Sequence, residues 1–252
     1  MSKKYRLFGD LQDCTNEGYK PLFMPKVIEI RIANARQNKK LWYEELITPS
    51  VAITGRTNKG NPVVVVAHKE SYLSNHSNLR EGRTSENLLK HYNRFNFPER
   101  EFQNLVEEDG LEDEQRNRLV WVIDYEKLKA YEENPEKKRK IEELIKARSL
   151  EECEKITKDL VGVSIEKVLE HPLTIPFIGE ERKAIDYIKA NVEVYGGDKI
   201  GVWYHPCIGL VDNANNKRPL GDLLMLGNHA IGGISANHYK YDHRPLFLGT
   251  SL

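Results

Sequence analysis

The sequence predicts an α+β fold: a mixed, largely antiparallel sheet with packed helices, into which a charged helical hairpin is inserted. Three observations carry this. Two β-branched runs, Val51–Thr54 and Val63–Ala67, are joined by a Gly- and Asn-containing connection that supplies the positive φ angles of a reversal, which is the pattern of a hairpin. Further apolar runs, Leu119–Ile123 and Leu223–Leu226, have the length and composition of buried strands. Residues 126–160 intersperse charges of both signs at helical spacing. A doubly wound parallel α/β sheet is the alternative, because apolar strands and helices alternate after residue 100. All 252 residues are read as one α+β domain, with 125–170 as a charged helical segment within it.

Taken in order, Tyr5–Phe8 is a short strand in an otherwise irregular opening. Val27, Ile28, Ile30 and Ile32 interleave with Glu29 and Arg31, which reads as a strand of period two. A helix is expected from Ala35 to Ile47, ended by Thr48-Pro49. After the hairpin comes a long polar connection from His68 to Thr84, of a length enriched in functional loops. Helices follow at Ser85–Phe95 and Glu99–Glu108. Asp124 closes the Leu119–Ile123 strand and is placed to cap a helix over Tyr125–Glu133. Ser149-Leu150-Glu151-Glu152 has the form of a capping box. Ser164–Glu170 and Glu180–Asn191 are the remaining helices, the second turning Ala184, Ile185 and Ile188 inward. The chain then enters residues 200–245, with strands ending at His205-Pro206 and at Gly227-Asn228-His229.

Charge and cysteine usage narrow the functional classes. Lys+Arg and Asp+Glu both total 38, so no whole-chain field draws in nucleic acid, and nucleic acid is disfavoured as a partner. Cys14, Cys153 and Cys207 lie far apart and form no Cys-x-x-Cys pair, as expected of free thiols in a reducing compartment. The first residues lack the apolar core of a signal peptide, and no apolar run is long enough to span a bilayer. A cytoplasmic chain without membrane partners is the expectation. Nothing in the sequence sets an oligomeric state.

Four of the eight histidines fall in residues 200–245, which makes that stretch the first place to look for chemistry. The expected catalytic set is His205 and His229 as general acid/base, with Asp222 or Asp242 orienting the imidazole. Substrate binding is assigned to His68, His76, Arg80, Arg83 and Asn228, the arginines beside a helix start being suited to an anion. The reading is a hydrolase or group-transfer enzyme acting on a phosphate- or carboxylate-bearing small molecule. The alternative is a non-catalytic binding or assembly protein that uses the C-terminal polar and aromatic stretch as an interface. A divalent metal is the candidate cofactor, since His205, Asp212, Asp222, His229, His238, Asp242 and His243 are of the right kind, although no ligand spacing supports it.

Several sharper motifs fail on named positions. Gly55–Gly60 lacks the Gly-Lys-Ser/Thr of a phosphate loop, and Asp212–Asn216 lacks the glycine and glutamate of a calcium loop. Cys207 is separated from His205 by a proline, which leaves a Cys–His pair without assured geometry. The apolar strand leading into Gly227-Asn228-His229 resembles one element of the calcineurin-like metallophosphoesterases. Gln12 stands where that family has His, and no Gly-Asp-x-x-Asp-Arg element intervenes, so the family is not assigned.

Overall fold

The computed structural model describes residues 5–9, 11–35, 39–75, 78, 95–131, 135–146, 163–196, 199–200, 202–203, 218–227, 234–235 and 246–251. Its organising strand is β3 (Leu46–Arg56), flanked by β10 (Leu220–Leu226) on one side. The other side is shared: Leu46 and Ile47 pair in parallel with β12 (Leu246–Ser251), and Val51–Arg56 pair antiparallel with β4 (Pro62–Ala67). Between these two partners lies Pro49. It brings no N–H to a ladder, and the β3–β10 register slips where it sits, between the Met225↔Ile47 and Leu223↔Val51 pairs. Thr48 Oγ donates to the Leu224 carbonyl at 3.0 Å across the irregularity. Proline thus marks the point where one strand changes neighbours.

The sheet extends outward from this centre. β6 (Val120–Asp124) pairs antiparallel with β4, and β1 (Tyr5–Phe8) and β2 (Tyr19–Pro21) pair antiparallel with β12. β5 (Phe95–Asn96) and β11 (Ile234–Ser235) add to β10, and β9 (Val202–Trp203) runs parallel to β11. Among the described residues β7 (Val163–Ser164) and β8 (Lys199–Ile200) make a separate two-stranded ladder. The result is a mixed α+β fold whose sheet is largely antiparallel, as expected, and the doubly wound parallel alternative is excluded.

Both faces of the sheet are buried, which explains the unbroken valines of β4. Val64 and Val66 face one core with Leu46, Ala52, Leu224 and Leu226. That core is covered by α2 (Met24–Asn34), α7 (Thr174–Ile178) and α8 (Glu181–Tyr195). Val63, Val65 and Ala67 face the other with Ile53, Leu223 and Met225, under α1 (Leu11–Asn16) and α3 (Glu99–Glu107). Burial at ~25 cal/mol per Å2 of apolar surface is the main stabilising contribution of both layers. The remaining helices are α4 (Tyr125–Tyr131), α5 (Pro135–Lys146) and α6 (Ile165–Val168). Asp124 accepts from the Glu126 N–H at 2.8 Å and so caps α4.

Two expected elements are corrected. The strand over Val27–Ile32 is instead the middle of helix α2, because Met24, Val27, Ile28 and Arg31 recur at helical spacing and all four are buried. Apparent alternation arose from counting Arg31 as a solvent position. The helix over Ala35–Ile47 shrinks to a 3-10 turn at Lys39–Trp42, and Thr48-Pro49 lies inside β3, where buried pairing overrides helix propensity. The Ser85–Phe95 helix and the Ser149 capping box lie largely outside the described residues.

Candidate functional site

Three strand ends meet on one rim of the sheet. Leu46 opens β3, and it pairs with Leu226 at the close of β10 on one side and Leu246 at the start of β12 on the other. Leu246 N–H donates to the Glu45 carbonyl at 2.9 Å. The connection 228–245 therefore departs and returns on either side of one fixed residue. Every pairing in the rim is backbone to backbone, and Leu46 and Leu226 are fully buried.

Beneath the rim lies Arg31, a fully buried arginine on the core-facing stripe of α2. Its Nη1 donates to the Gly227 carbonyl at 3.1 Å, and its Nη2 donates to the carbonyls of Glu44 and, at 3.4 Å, Leu226. The guanidinium also lies 5.7 Å from the Trp42 ring centre, an attractive cation–π placement. Trp42 Nε1–H donates to the Arg31 carbonyl at 2.8 Å, which satisfies one of the four terminal carbonyls a helix leaves open. The Trp42 ring stacks on Tyr187 with centroids 5.3 Å apart. Burial raises the Tyr187 phenol above its usual range although Arg31 works in the opposite sense. Burial likewise pushes Tyr195 up to about 12, and its hydroxyl donates to the Trp42 carbonyl. Both phenols stay neutral near pH 7. Tyr43, which meets Tyr195 edge-on at 5.9 Å, is the exposed member of this aromatic group at 54%.

Of the expected site residues, His68 and Asp222 are described. His68 is 3% exposed and is committed to the fold. Its Nε2 lies 2.7 Å from the Pro176 carbonyl, which can only accept, so that nitrogen carries the proton. Nδ1 then accepts from the Ser50 hydroxyl at 2.9 Å, and the Ser50 oxygen accepts from the Met24 N–H at 2.9 Å. Desolvation lowers the imidazole to about 4. Both ring nitrogens are used, so neither is offered to a ligand. Asp222 is also 3% exposed, paired with Ala52 on the sheet face that α2 and α7 cover. His76, Arg80, Arg83, His205, Asn228, His229 and Asp242 lie outside the described residues, as do Asp212, His238 and His243. Among the described residues no group of three or more His, Cys, Asp or Glu side chains is placed to hold a metal ion. No described helix is long and apolar enough to cross a membrane.

Sequence reasoning missed Arg31, Trp42 and the rim. The available signal was an arginine at i+7 on the stripe Met24, Val27, Ile28, a position where solvation is lost and partners become obligatory.

No protein-family model matches the chain, and no curated protein does. A solved structure does: it is described as the accommodation of massive sequence variation in Nanoarchaeota by the C-type lectin fold. The identity is 31%, the TM-score is 0.68, and the match covers 99% of this chain and 97% of that one. This likeness overturns the expectation of a hydrolase or group-transfer enzyme, since it favours non-catalytic binding.

Proposed function

Because the chain belongs to the C-type lectin fold family, we propose that it is a non-catalytic binding protein whose recognition surface is the polar, aromatic stretch between β10 and β12. The observation that carries this reading is the rim, where a long connection is tied at both ends to Leu46. A rigid scaffold presenting a chemically rich segment is how binding surfaces are commonly built. The segment contains Tyr239, Tyr241 and Arg244, types enriched at interfaces. The relative's sequence variation on this fold fits a division of labour in which the sheet holds shape while surface residues change partners.

The partner we propose presents carboxylate or phosphate groups. Between Gly227 and Leu246 stand Lys240, Arg244 and the imidazoles of His229, His238 and His243 against a lone Asp242, in a chain whose overall charge is zero. We also take the chain as one domain, supported by the pairing of β1 with β12. The segment 125–170 is taken as an inserted helical hairpin, supported by the 3.1 Å Lys129–Glu142 ion pair between α4 and α5. A cytoplasmic location fits the free, buried Cys14.

Binding of a fluorescein-labelled hexaglutamate peptide and of a phosphoserine-bearing peptide to the purified chain tests the reading. A chain with Tyr239, Lys240, Tyr241 and Arg244 all changed to Ala should lose at least tenfold in affinity while its melting temperature holds. Affinity should also fall with salt, as it does for exposed charges. Equal binding by the four-alanine chain sinks the proposed surface, and no binding of either peptide sinks the anionic partner.

A further inference from the structure

We infer that Arg31 is the positioning residue of the recognition stretch, a buried cation that holds its base in one geometry; the inference rests on the binding reading above. An arginine stays charged at any pH a protein tolerates, and withdrawing that charge from water is expensive unless partners replace the solvent. At most buried arginines a carboxylate is that partner. Here the partners are the carbonyls of Glu44, Leu226 and Gly227 and the face of Trp42, and among the described residues no carboxylate pairs with the guanidinium.

That choice of partner has a geometric consequence. A carboxylate sits on a flexible side chain and can follow a guanidinium that moves. Backbone carbonyls cannot follow. Glu44 belongs to the approach to β3, and Leu226 and Gly227 to the exit of β10, so the two Nη groups keep their acceptors only while two strand ends keep a fixed separation. The fork is itself fixed, because the Arg31 carbonyl is held by Trp42 Nε1 and Trp42 is stacked on Tyr187 of α8. Displacing either strand end leaves a permanent charge short of partners in a dry interior, a penalty steep enough to oppose small movements. A hydrophobic side chain of similar volume would fill the space without enforcing the separation. Lysine would carry the charge without the fork. Gly227 is the last described residue before the stretch, so what Arg31 fixes is the place and direction from which recognition begins.

Hydrogen–deuterium exchange on the full chain, with Arg31→Lys and Arg31→Met beside the parent, tests this. Exchange at Leu226, Gly227 and Leu246 should accelerate at least tenfold in both variants, beyond any change in the Val63–Val66 amides of β4, which report global opening. Arg31→Lys retains charge and stem, and gives the answer should the methionine variant fail to fold. Rim exchange that is unchanged, or that rises only in step with Val63–Val66, overturns the inference. The hexaglutamate peptide is titrated into the same samples. A loosened rim with at least fivefold weaker binding supports the positioning role. A loosened rim with undiminished binding overturns it, provided the four-alanine chain has lost binding; if that chain binds as well, it is the recognition reading that has failed.

Discussion

Acidification from pH 7 to pH 5 should destabilise the fold through His68. In the folded chain the imidazole is neutral, held between Ser50 and the Pro176 carbonyl and lowered to about 4 by desolvation. In the unfolded chain it returns to about 6.5. The unfolded state therefore binds more protons between these values, so stability rises with pH across the window. The contribution is fully present above pH 6.5 and is lost as pH falls toward 4. At pH 5 the loss from this one group is about 2 kcal/mol, of a total that for domains of this kind is on the order of 5–15 kcal/mol. Urea unfolding at half-unit steps between pH 5 and 6.5 reads the slope, in a range where ordinary carboxylates titrate little. His68→Gln should flatten that slope whatever its effect on absolute stability. His171, also lowered to about 4 by burial and with its ring edge-on to Tyr131 at 5.0 Å, adds to the slope in the same sense. The reasoning is refuted by a slope that His68→Gln leaves unchanged, or by an NMR titration in which the native His68 ring protonates near pH 6.5.

Three further expectations concern the scaffold. Gly249→Ala in β12 would set a Cβ 2.6 Å from Cys14 Sγ and 2.9 Å from the Phe8 ring, so the midpoint of urea unfolding should fall, by about 1–3 kcal/mol in stability. Asp124→Ala removes the cap of α4 and should cost about 1 kcal/mol by the same assay, with Asp124→Ser recovering most of it. Arg116 holds φ of 63°, a left-handed conformation unfavourable for a side chain at an exposed turn, so Arg116→Gly should raise the melting temperature slightly, by roughly 0.5 kcal/mol of added stability.

How much could be seen in advance depended on whether local pattern and tertiary demand agreed. β4 and α8 were visible because valine runs and an amphipathic repeat favour the states the fold uses. α2 was read as a strand because Arg31, polar by type, is buried by position; with it counted as inward, Met24, Val27, Ile28 and Arg31 are plainly helical. β3 was cut short because Thr48-Pro49 was read as the end of a helix over Ala35–Ile47, whereas here a register slip receives the proline inside the strand. Concerning the site, composition drew attention to residues 200–245 through their histidines and tyrosines. It gave no hint of the rim, since Leu46, Leu226 and Leu246 are unremarkable leucines whose importance lies in pairing with one another. The enzyme reading is overturned by the likeness to the C-type lectin fold, and His68, read as part of a polar connection, showed no sign in the sequence that Ser50 and Pro176 are brought to its two nitrogens.

The handover at Pro49 has an evolutionary corollary. Since Leu226 and Leu246 are both registered on Leu46, a change in length between them alters no pairing in the β3–β4–β6 portion of the sheet. Doubling such a connection costs only about 0.6 kcal/mol of closure entropy. Insertions and deletions there that spare β11, whose Ile234 and Ser235 pair with β10 and β9, are thus nearly neutral for that portion of the sheet while they redraw the outer surface, and a lineage can explore new shapes there without first repairing its core.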